Sequence, residues 1–387
     1  MVVIKEVSAK KIKDARGDFT ISVTINTNAG KFSASSPSGK SKGKHEVKTY
    51  KKSIDGDIKS LNDLGDYFSE EILEEFSDLR RIEDIVEGHV GGNTLFALES
   101  AILKAMAKKQ KKEIWQLINP KAKKLPRLVG NCVGGGLHTQ NKKKPDFQEF
   151  LLIPNKGSVK KNYEENLKLK EKVKEILKKV DKTFEGGKND ENAWVTSLNE
   201  KEVCDVFSNL GTDFGIDVAA SSFYKRKKYS YANPMLKRTP EEQIGYLSNL
   251  IKNYRIIYIE DPMDEEDFDG FAELLKKSKG CMVVGDDLVV TNHKRLEKSI
   301  KKKSVNAIIV KPNQCGSLLE VERVCKLAKE NDIKMTFSHR SGETEETILA
   351  DLAVGFGADF FKCGIDGKVR TLKLERLIAI EKSLGKV

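Results

Sequence analysis

A series of short apolar runs in the last two thirds of the chain is the feature that most restricts its fold. Eight such runs follow Pro126, and they read RLVGNCV, FQEFLLI, FGIDV, IIYIED, CMVVGDD, NAIIVK, KMTFSH and DFFKCG. Amphipathic helical segments alternate with these runs, which predicts parallel strands joined by helical crossovers. Eight strands of this kind close a TIM-type barrel. The predicted class is therefore α/β, a (β/α)8 TIM-like barrel.

In the residues before the barrel, the spacing of apolar residues changes along the chain. Apolar and polar residues alternate from Phe19 to Ile25, and Asn28 to Gly30 supply a hairpin turn, which predicts a small antiparallel sheet. From Leu61 to Gln116 the period lengthens to that of helices. A stretch rich in proline and lysine follows. We expect a smaller α+β capping domain over residues 1–122 and the barrel over residues 123–387.

The last six apolar runs each finish in an ionisable residue, and from Glu260 onward these residues stand about 25 positions apart, roughly one strand, one helix and two loops. In a parallel barrel they project from one rim, where the loops that follow the strands converge and where barrel enzymes place their chemistry. The six residues are Asp217, Glu260, Asp286, Lys311, His339 and Lys362.

Three of these residues are carboxylates at successive strand ends, namely Asp217, Glu260 and Asp286. A lone acid at such a position is usually a salt-bridged surface residue. Three on one rim would repel one another unless a cation lay between them. Ligands that offer only oxygen suit magnesium better than zinc. The pattern favours a magnesium site.

Lys311 follows an apolar strand, so its stem is buried while its amine reaches the rim. One interpretation is a lysine that neutralises the neighbouring carboxylates. The other is a general base, which needs a lowered pKa. Lys362 and a nearby metal ion would lower the Lys311 pKa by like-charge repulsion.

His339 opens a dense polar stretch directly after a strand. A lone histidine there is more often structural, but Arg340 and Ser341 follow it, which favours an anion-binding cluster in which arginine grips a phosphate. Two earlier segments are weaker signals. Ser35 to Gly43 has the composition of a flexible loop that can act as a lid, and a run of three glycines precedes His138.

Composition excludes several classes of protein. In a chain of 387 residues, hydrophobic residues at 39% and charged residues at 33% describe a globular protein without an apolar run of membrane-spanning length. The six cysteines are scattered and look reduced, and we expect a cytoplasmic location. The formal charge of +11 is spread along the chain without interleaved aromatics, so nucleic-acid binding is disfavoured, while a small anionic substrate would be attracted.

In order along the chain, these segments resemble the enolase family, and the match covers nearly the whole sequence. The motifs that carry the resemblance are Ala15-Arg16-Gly17, the lid Pro37 to Gly43, Gly92-Asn93, Gln148-Glu149-Phe150, Asp190-Glu191, Ile259 to Pro262, Gly285 to Leu288 with Thr291-Asn292, Lys311 with Asn313-Gln314, and Ser338 to Glu345.

The resemblance implies a magnesium-dependent lyase that converts 2-phosphoglycerate to phosphoenolpyruvate and water. It implies two magnesium ions, the second recruited with the substrate, and a homodimer. The implied first metal ligands are Asp217, Glu260 and Asp286, and Ser41 on the lid would help to hold the second ion. The implied catalytic residues are Lys311 as the base that takes the C2 proton, Glu191 as the acid that protonates the departing hydroxyl, and Glu149 beside it. The implied substrate-binding residues are His138, Gln148, His339, Arg340, Ser341 and Lys362.

The sequence departs from the family pattern in three places. Asn192-Ala193 replace paired glycines after the acidic dipeptide, and Lys40 and Lys42 replace small residues in the lid, which makes the lid more basic. The segment from Ile365 to Arg370 is shorter than the family's arginine-rich segment, which contributes to dimer contacts, so the oligomeric state is left open.

Two other functions are compatible with much of this pattern. The first is an acid-sugar dehydratase or cycloisomerase of the same superfamily, whose members often carry Lys-x-Lys on an early barrel strand. This chain has Phe147-Gln-Glu-Phe150 there, which places the base later, at Lys311. The second is a paralogue that has lost catalysis and serves as a binding protein. A residue at every expected catalytic position argues against it, although fold does not guarantee function.

Overall fold

The structure is a computed structural model that describes residues 1–40, 42–69 and 71–386. The first part of the chain forms a sheet covered by helices. Its elements are β1 (Val2–Lys13), β2 (Phe19–Thr27), β3 (Gly30–Ser35), α1 (Ile54–Asp63), α2 (Gly65–Phe68), β4 (Ile72–Leu73), α3 (Leu79–Val86), α4 (Gly92–Gln110) and α5 (Ile114–Ile118).

The capping sheet has the strand order β3-β2-β1-β4, with every neighbouring pair antiparallel. The predicted hairpin turn is confirmed: β2 and β3 pair directly across Asn28 and Ala29. Ile21, Val23 and Ile25 alternate along β2 and are fully buried, and β2 and β3 pack against α4. The period-2 pattern thus forms one apolar face, which the helix covers.

The remainder of the chain is a barrel with its surrounding helices. Its elements are β5 (Arg127–Gly134), β6 (Glu149–Leu152), α6 (Val159–Val180), β7 (Trp194–Val195), α7 (Glu200–Ser208), β8 (Phe214–Asp217), β9 (Tyr224–Lys225), β10 (Lys228–Ala232), β11 (Met235–Arg238), α8 (Pro240–Tyr254), β12 (Tyr258–Glu260), α9 (Phe268–Lys277), β13 (Met282–Gly285), α10 (His293–Lys302), β14 (Ala307–Val310), α11 (Pro312–Cys315), α12 (Leu318–Glu330), β15 (Lys334–Ser338), α13 (Ile348–Gly355), β16 (Phe360–Gly364) and α14 (Lys368–Ser383).

The barrel is closed, which confirms the predicted α/β fold. Its eight strands run in the order β5-β6-β8-β12-β13-β14-β15-β16, and β16 pairs with β5. The prediction that all eight strands are parallel is wrong for β6, which is antiparallel to both β5 and β8. The β5–β6 connection contains the glycine run and a short 3-10 turn, Gly136–His138, in place of a crossover helix. Without that helix the chain returns in the opposite direction.

A small cluster of side chains fills the inside of the barrel. It consists of Val129, Leu151, Ile153, Tyr258, Val284, Ala307 and Ile309, all essentially buried. The other face of each strand packs against the helices, as Ile308 and Val310 do on β14. Because side chains alternate along a strand, a residue two positions beyond an interior residue also points into the barrel.

Within the part of the chain that the structure describes, no helix combines the length and the apolar character that crossing a bilayer requires.

Candidate active site

A small polar cavity opens at the barrel rim and brings most of the predicted site residues together. Its lining is Gly39, Lys40, His138, Gln148, Glu149, Glu191, Asp217, Lys311, Ser338, His339, Arg340, Ser341 and Lys362. Glu260 and Asp286 lie next to this cavity, because Lys362 contacts the first and Lys311 the second.

Strand alternation explains why these side chains converge. Each of four site residues stands two positions after an interior residue or a residue packed against the interior cluster: Glu260 after Tyr258, Asp286 after Val284, Lys311 after Ile309, and Lys362 after Phe360. Glu149 stands two positions before Leu151, and it reaches the same rim because β6 runs in the opposite direction. Glu149 is the register partner of Asp217.

The Lys362 ammonium forms the electrostatic centre of the site. Its Nζ lies 2.9 Å from Glu149, 3.0 Å from Asp217 and 2.8 Å from Glu260, and all four side chains are buried. Burial acts to lower the Lys362 pKa, but these carboxylates raise it well above its usual value. Burial and the neighbouring Asp217 raise the pKa of Glu260 well above its usual value. The site therefore holds more carboxylates than one ammonium satisfies.

Lys311 is paired with Asp286, which differs from the expectation for a base. Its Nζ donates to Asp286 Oδ2, and Gln314 Nε2 donates to Asp286 Oδ1 at 3.1 Å. Burial acts to lower the Lys311 pKa, yet the Asp286 charge raises it. Lys362 acts to lower the Lys311 pKa, as predicted, but Asp286 outweighs it, so the net direction is opposite to the predicted one. The lowering that a metal ion would add stays a prediction.

The predicted metal ligands Asp217, Glu260 and Asp286 do not form one cluster among the described residues. Among the described residues, the acidic and histidine groups with ligand atoms within 4.8 Å of one another are His138–Glu149–Glu191 and Asp261–Asp286–Asp287. Asp217 and Glu260 are instead separated by the Lys362 ammonium, which bonds both. Three buried strand-end carboxylates with only oxygen donors nevertheless match what magnesium requires of a protein site. Ser41, the predicted ligand of a second ion, lies outside the described residues.

Glu191 is held by three polar side chains from other elements. Asn131 Nδ2 donates to Glu191 Oε2 at 2.9 Å, His339 Nε2 lies 3.4 Å from the same oxygen, and His138 Nδ1 lies 3.8 Å from Oε1. Burial acts to raise the Glu191 pKa, but the two histidines hold it well below its usual value. In turn, Glu191 outweighs burial and raises the His339 pKa to about 9.

The altered loop after Glu191 keeps a defined shape without its glycines. Asn189 Oδ1 accepts hydrogen bonds from the backbone N–H groups of Glu191 and Ala193, both at 3.0 Å. Asn192 takes a φ of 63°, a region in which asparagine is one of the better tolerated residues. Its carbonyl accepts a 2.6 Å bond from the buried Lys170 ammonium. The loop is thus fixed by its own Asn189 side chain and by Lys170 of α6.

Gln148 and His138 contribute two further polar side chains to the lining of the cavity. Gln148 Nε2 lies 3.5 Å from Asp217 Oδ2, whereas its Oε1 is buried without a hydrogen-bond partner. His138 Nδ1 lies 3.4 Å from Glu149, and both its neighbours Glu191 and Glu149 help to raise its pKa despite burial. The unsatisfied Gln148 oxygen and the His138 ring are available to a polar ligand.

The lid lies on the barrel rim. Ser38 and Gly342 exchange two backbone hydrogen bonds at 2.7 and 2.8 Å. The backbone N–H of Lys40 and the Arg16 guanidinium both donate to Ser341 Oγ, at 2.8 and 3.1 Å. A Cβ at position 342 would lie 2.1 Å from Asp14, so glycine is required for this close approach. The lid contact therefore orients Ser341.

Arg340 is engaged by a lid-side carboxylate. Its two terminal nitrogens donate to both oxygens of Glu46 at 3.0 to 3.2 Å, and Nη1 also donates to Asn313 at 3.3 Å. A fork of parallel bonds to a carboxylate is also the geometry in which arginine binds phosphate. The Arg340 guanidinium is thus oriented to bind an anion, and the Glu46 carboxylate is bound to it in this structure.

Sequence reasoning missed two residues of the site. Glu46 had no distinguishing pattern, because its partner lies almost 300 positions away. Asn131 could have been found, because it stands two positions after the interior residue Val129 and therefore points into the barrel.

A closed barrel whose rim collects carboxylates, lysines and histidines around one cavity defines an enzyme of the barrel class. The family model of the enolase C-terminal TIM barrel domain matches residues 122–387, and that of the enolase N-terminal domain matches residues 4–118. The chain belongs to the enolase family, a family of carbon–oxygen lyases.

Curated relatives agree with the family models over almost the full length of the chain. The enolases of Methanosphaera stadtmanae and Pyrobaculum aerophilum are each 36% identical to it, and each alignment covers 99% of this chain and 97% of the relative. The enolase of Methanothermobacter thermautotrophicus is 34% identical with the same coverage.

Proposed function

We propose that the protein dehydrates 2-phosphoglycerate to phosphoenolpyruvate. The observation that carries this proposal is the presence of an amine and a carboxylate at one cavity, Lys311 at the end of β14 and Glu191 beside β5. Dehydration next to a carboxylate needs a base for the C2 proton and an acid for the departing hydroxyl. Lys311 follows β14 and Glu191 lies in the loop before β7, which pairs with β5, so the two groups reach the cavity from elements that are not neighbours in the barrel.

The strand-end carboxylates of Asp217, Glu260 and Asp286 would hold magnesium. The cation supplies stabilisation of the negative charge that develops on the substrate carboxylate. Two features support this ligand set: the oxygen-only donors, and the raised pKa values of Asp217 and Glu260, which result from burial first and from the neighbouring carboxylates second. We infer two ions, the second held with the help of Ser41.

Lys311 takes the C2 proton in this proposal. For that step its amine must be neutral, whereas the contact with Asp286 favours the ammonium. If Asp286 held a divalent cation, its carboxylate would stabilise the Lys311 ammonium less, and the Lys311 pKa would be lower. The buried position then favours the neutral amine, as a base requires.

Glu191 gives its proton to the departing hydroxyl, with Glu149 beside it. In the ligand-free site Glu191 is ionised between His138 and His339. A multiply anionic substrate in the same buried cavity raises the pKa of a neighbouring carboxyl, which favours the protonated form that an acid needs. Glu149 and Glu191 both contact His138, so one histidine connects the two carboxylates.

The substrate's anionic groups bind on the cationic side of the cavity. Arg340 and Ser341 offer a guanidinium and an oriented hydroxyl to the phosphate, which takes the place of Glu46 on Arg340. Lys362, His138, Gln148 and His339 are the remaining polar ligands, and all of them line the cavity.

The family resemblance also implies a homodimer, and the sequence predicts a cytoplasmic location; both stay predictions. Sedimentation of the purified protein tests the first. A single species with the mass of one chain would contradict it.

Turnover tests the proposed function. Purified protein with 2-phosphoglycerate and magnesium is expected to generate the ultraviolet absorbance of an enol double bond, and a chelator is expected to abolish it. Lys311→Ala should lose turnover. Lys277→Ala is the control, because Lys277 forms an exposed ion pair with Glu273 on the outer face of α9, and it should retain turnover. An inactive wild-type protein would overturn the proposal and favour a superfamily dehydratase with another substrate or a binding role. Full activity in Lys311→Ala would instead overturn the assignment of Lys311 as the base.

A further inference from the structure

Lys40 connects the lid to two separate loops of the barrel. Its backbone N–H donates to Ser341 Oγ at 2.8 Å, and its ammonium donates to Asp190 Oδ2 at 3.0 Å. Asp190 directly precedes Glu191, and Lys40 itself lines the active-site cavity. One lid residue therefore touches both the loop that carries the anion ligands and the loop that carries the proposed acid.

The same two loops are also joined from the inside of the protein. Arg370 is buried, and its Nη2 donates to the carbonyls of Ser341 at 2.9 Å and Asp190 at 3.5 Å. This contact is independent of the lid. On the outer side, Lys40 joins the same two loops through its backbone N–H and its ammonium. The Lys40–Asp190 pair requires the lid to lie on the rim.

We propose that Lys40 is a positioning residue whose ion pair with Asp190 links lid closure to the placement of Glu191. This inference rests on the proposed function. When the lid closes, the backbone of Lys40 orients Ser341 and its side chain draws the Asp190–Glu191 segment against the lid. When the lid opens, Asp190 loses its partner and the Glu191 loop keeps only its inner contacts.

The exposure of the pair sets the size of the expected effect. The side chains of Lys40 and Asp190 are 30% and 38% exposed, so water screens their attraction. Pairs of this kind change equilibria by about two- to fivefold. A closed-lid population reduced by this factor raises KM for 2-phosphoglycerate by about the same factor.

A double-mutant cycle tests the link. The variants are Lys40→Met, Asp190→Asn and the double variant, and Lys42→Met is the matched control, because the Lys42 ammonium bonds Thr49 on its own side of the lid. We expect each single variant to raise KM about two- to fivefold. We expect the double variant to be no worse than either single one, and Lys42→Met to match the wild type. The charge swap Lys40→Asp with Asp190→Lys should recover part of the loss.

Amide hydrogen exchange of residues 36–44 in the substrate-free protein gives a readout that does not depend on turnover. Lys40→Met and Asp190→Asn should speed exchange equally, and Lys42→Met should not change it. This outcome would support the link even if 2-phosphoglycerate proved not to be the substrate. Multiplicative effects on KM in the double variant would mean that Lys40 contacts the substrate directly, and unchanged exchange in both single variants would mean that the pair does not hold the lid. Either result overturns the inference.

Discussion

Replacement of Lys362 by methionine should destabilise the protein strongly, because the ammonium compensates three buried carboxylates at once. Glu149, Asp217 and Glu260 lie 2.8 to 3.0 Å from its Nζ, and no side chain in the group is more than 5% exposed. Removal of one partner from a buried ion pair typically costs about 3–5 kcal/mol, because the remaining charge is left without compensation. We therefore expect the free energy of unfolding to fall by at least about 3 kcal/mol.

A matched control separates burial from the loss of a charge. The Lys178 ammonium also lies 3.0 Å from its partner, Glu175, but the two side chains are 52% and 60% exposed. Lys178→Met should therefore change the free energy of unfolding far less than Lys362→Met. Urea denaturation of both variants in the presence of a chelator, followed by circular dichroism, measures the difference.

The unpaired carboxylates of Lys362→Met lead to two further predictions. The loss in Lys362→Met should shrink as the pH falls, because a protonated carboxyl no longer needs a cation beside it. Added magnesium should stabilise Lys362→Met more than the wild type, since the ion meets unpaired carboxylates. If Lys362→Met unfolds in chelator at the same urea concentration as Lys178→Met, the view that Lys362 compensates the three buried carboxylates is refuted.

Three other predictions concern residues that support the site. Lys373→Met should cost about 3–5 kcal/mol in urea denaturation, because it leaves the buried Glu343, 2.7 Å away, without its cation; a loss below 1 kcal/mol would contradict this. Lys170→Met should lower kcat about ten- to a hundredfold with little change in KM, because the bond to the Asn192 carbonyl positions the loop of the proposed acid; an unchanged kcat would mean that the loop needs no such support. His339 should titrate near pH 9 by NMR, so its contribution to stability is present below about pH 6.5 and disappears as the pH rises through 9; a midpoint at or below its usual value would show that Glu191 does not control it.

The barrel and much of its rim could be predicted from the sequence because strand periodicity is local. An apolar run that ends in Glu260 or Lys311 specifies both the strand and the face on which the charged side chain lies. The direction of β6 was missed, because the sequence shows eight apolar runs but not which connections contain a helix.

Long-range pairings explain the remaining differences. Nothing near Arg340 in the sequence indicates that its guanidinium forms an ion pair with Glu46. Likewise, the position of Lys311 on the rim was predicted correctly, but its pKa depends on a side chain from the neighbouring strand. Asp286 makes that contact and outweighs the opposing effect of Lys362.

The measurement that tests the central claim most directly is exchange of the C2 hydrogen of 2-phosphoglycerate with deuterated water, followed by NMR in the presence of magnesium. Lys311 as the base and Glu191 as the acid predict different results for the two variants. Glu191→Gln should still exchange the C2 hydrogen while forming little phosphoenolpyruvate, and Lys311→Ala should do neither. Exchange at the wild-type rate in Lys311→Ala would contradict the assignment of Lys311 as the base.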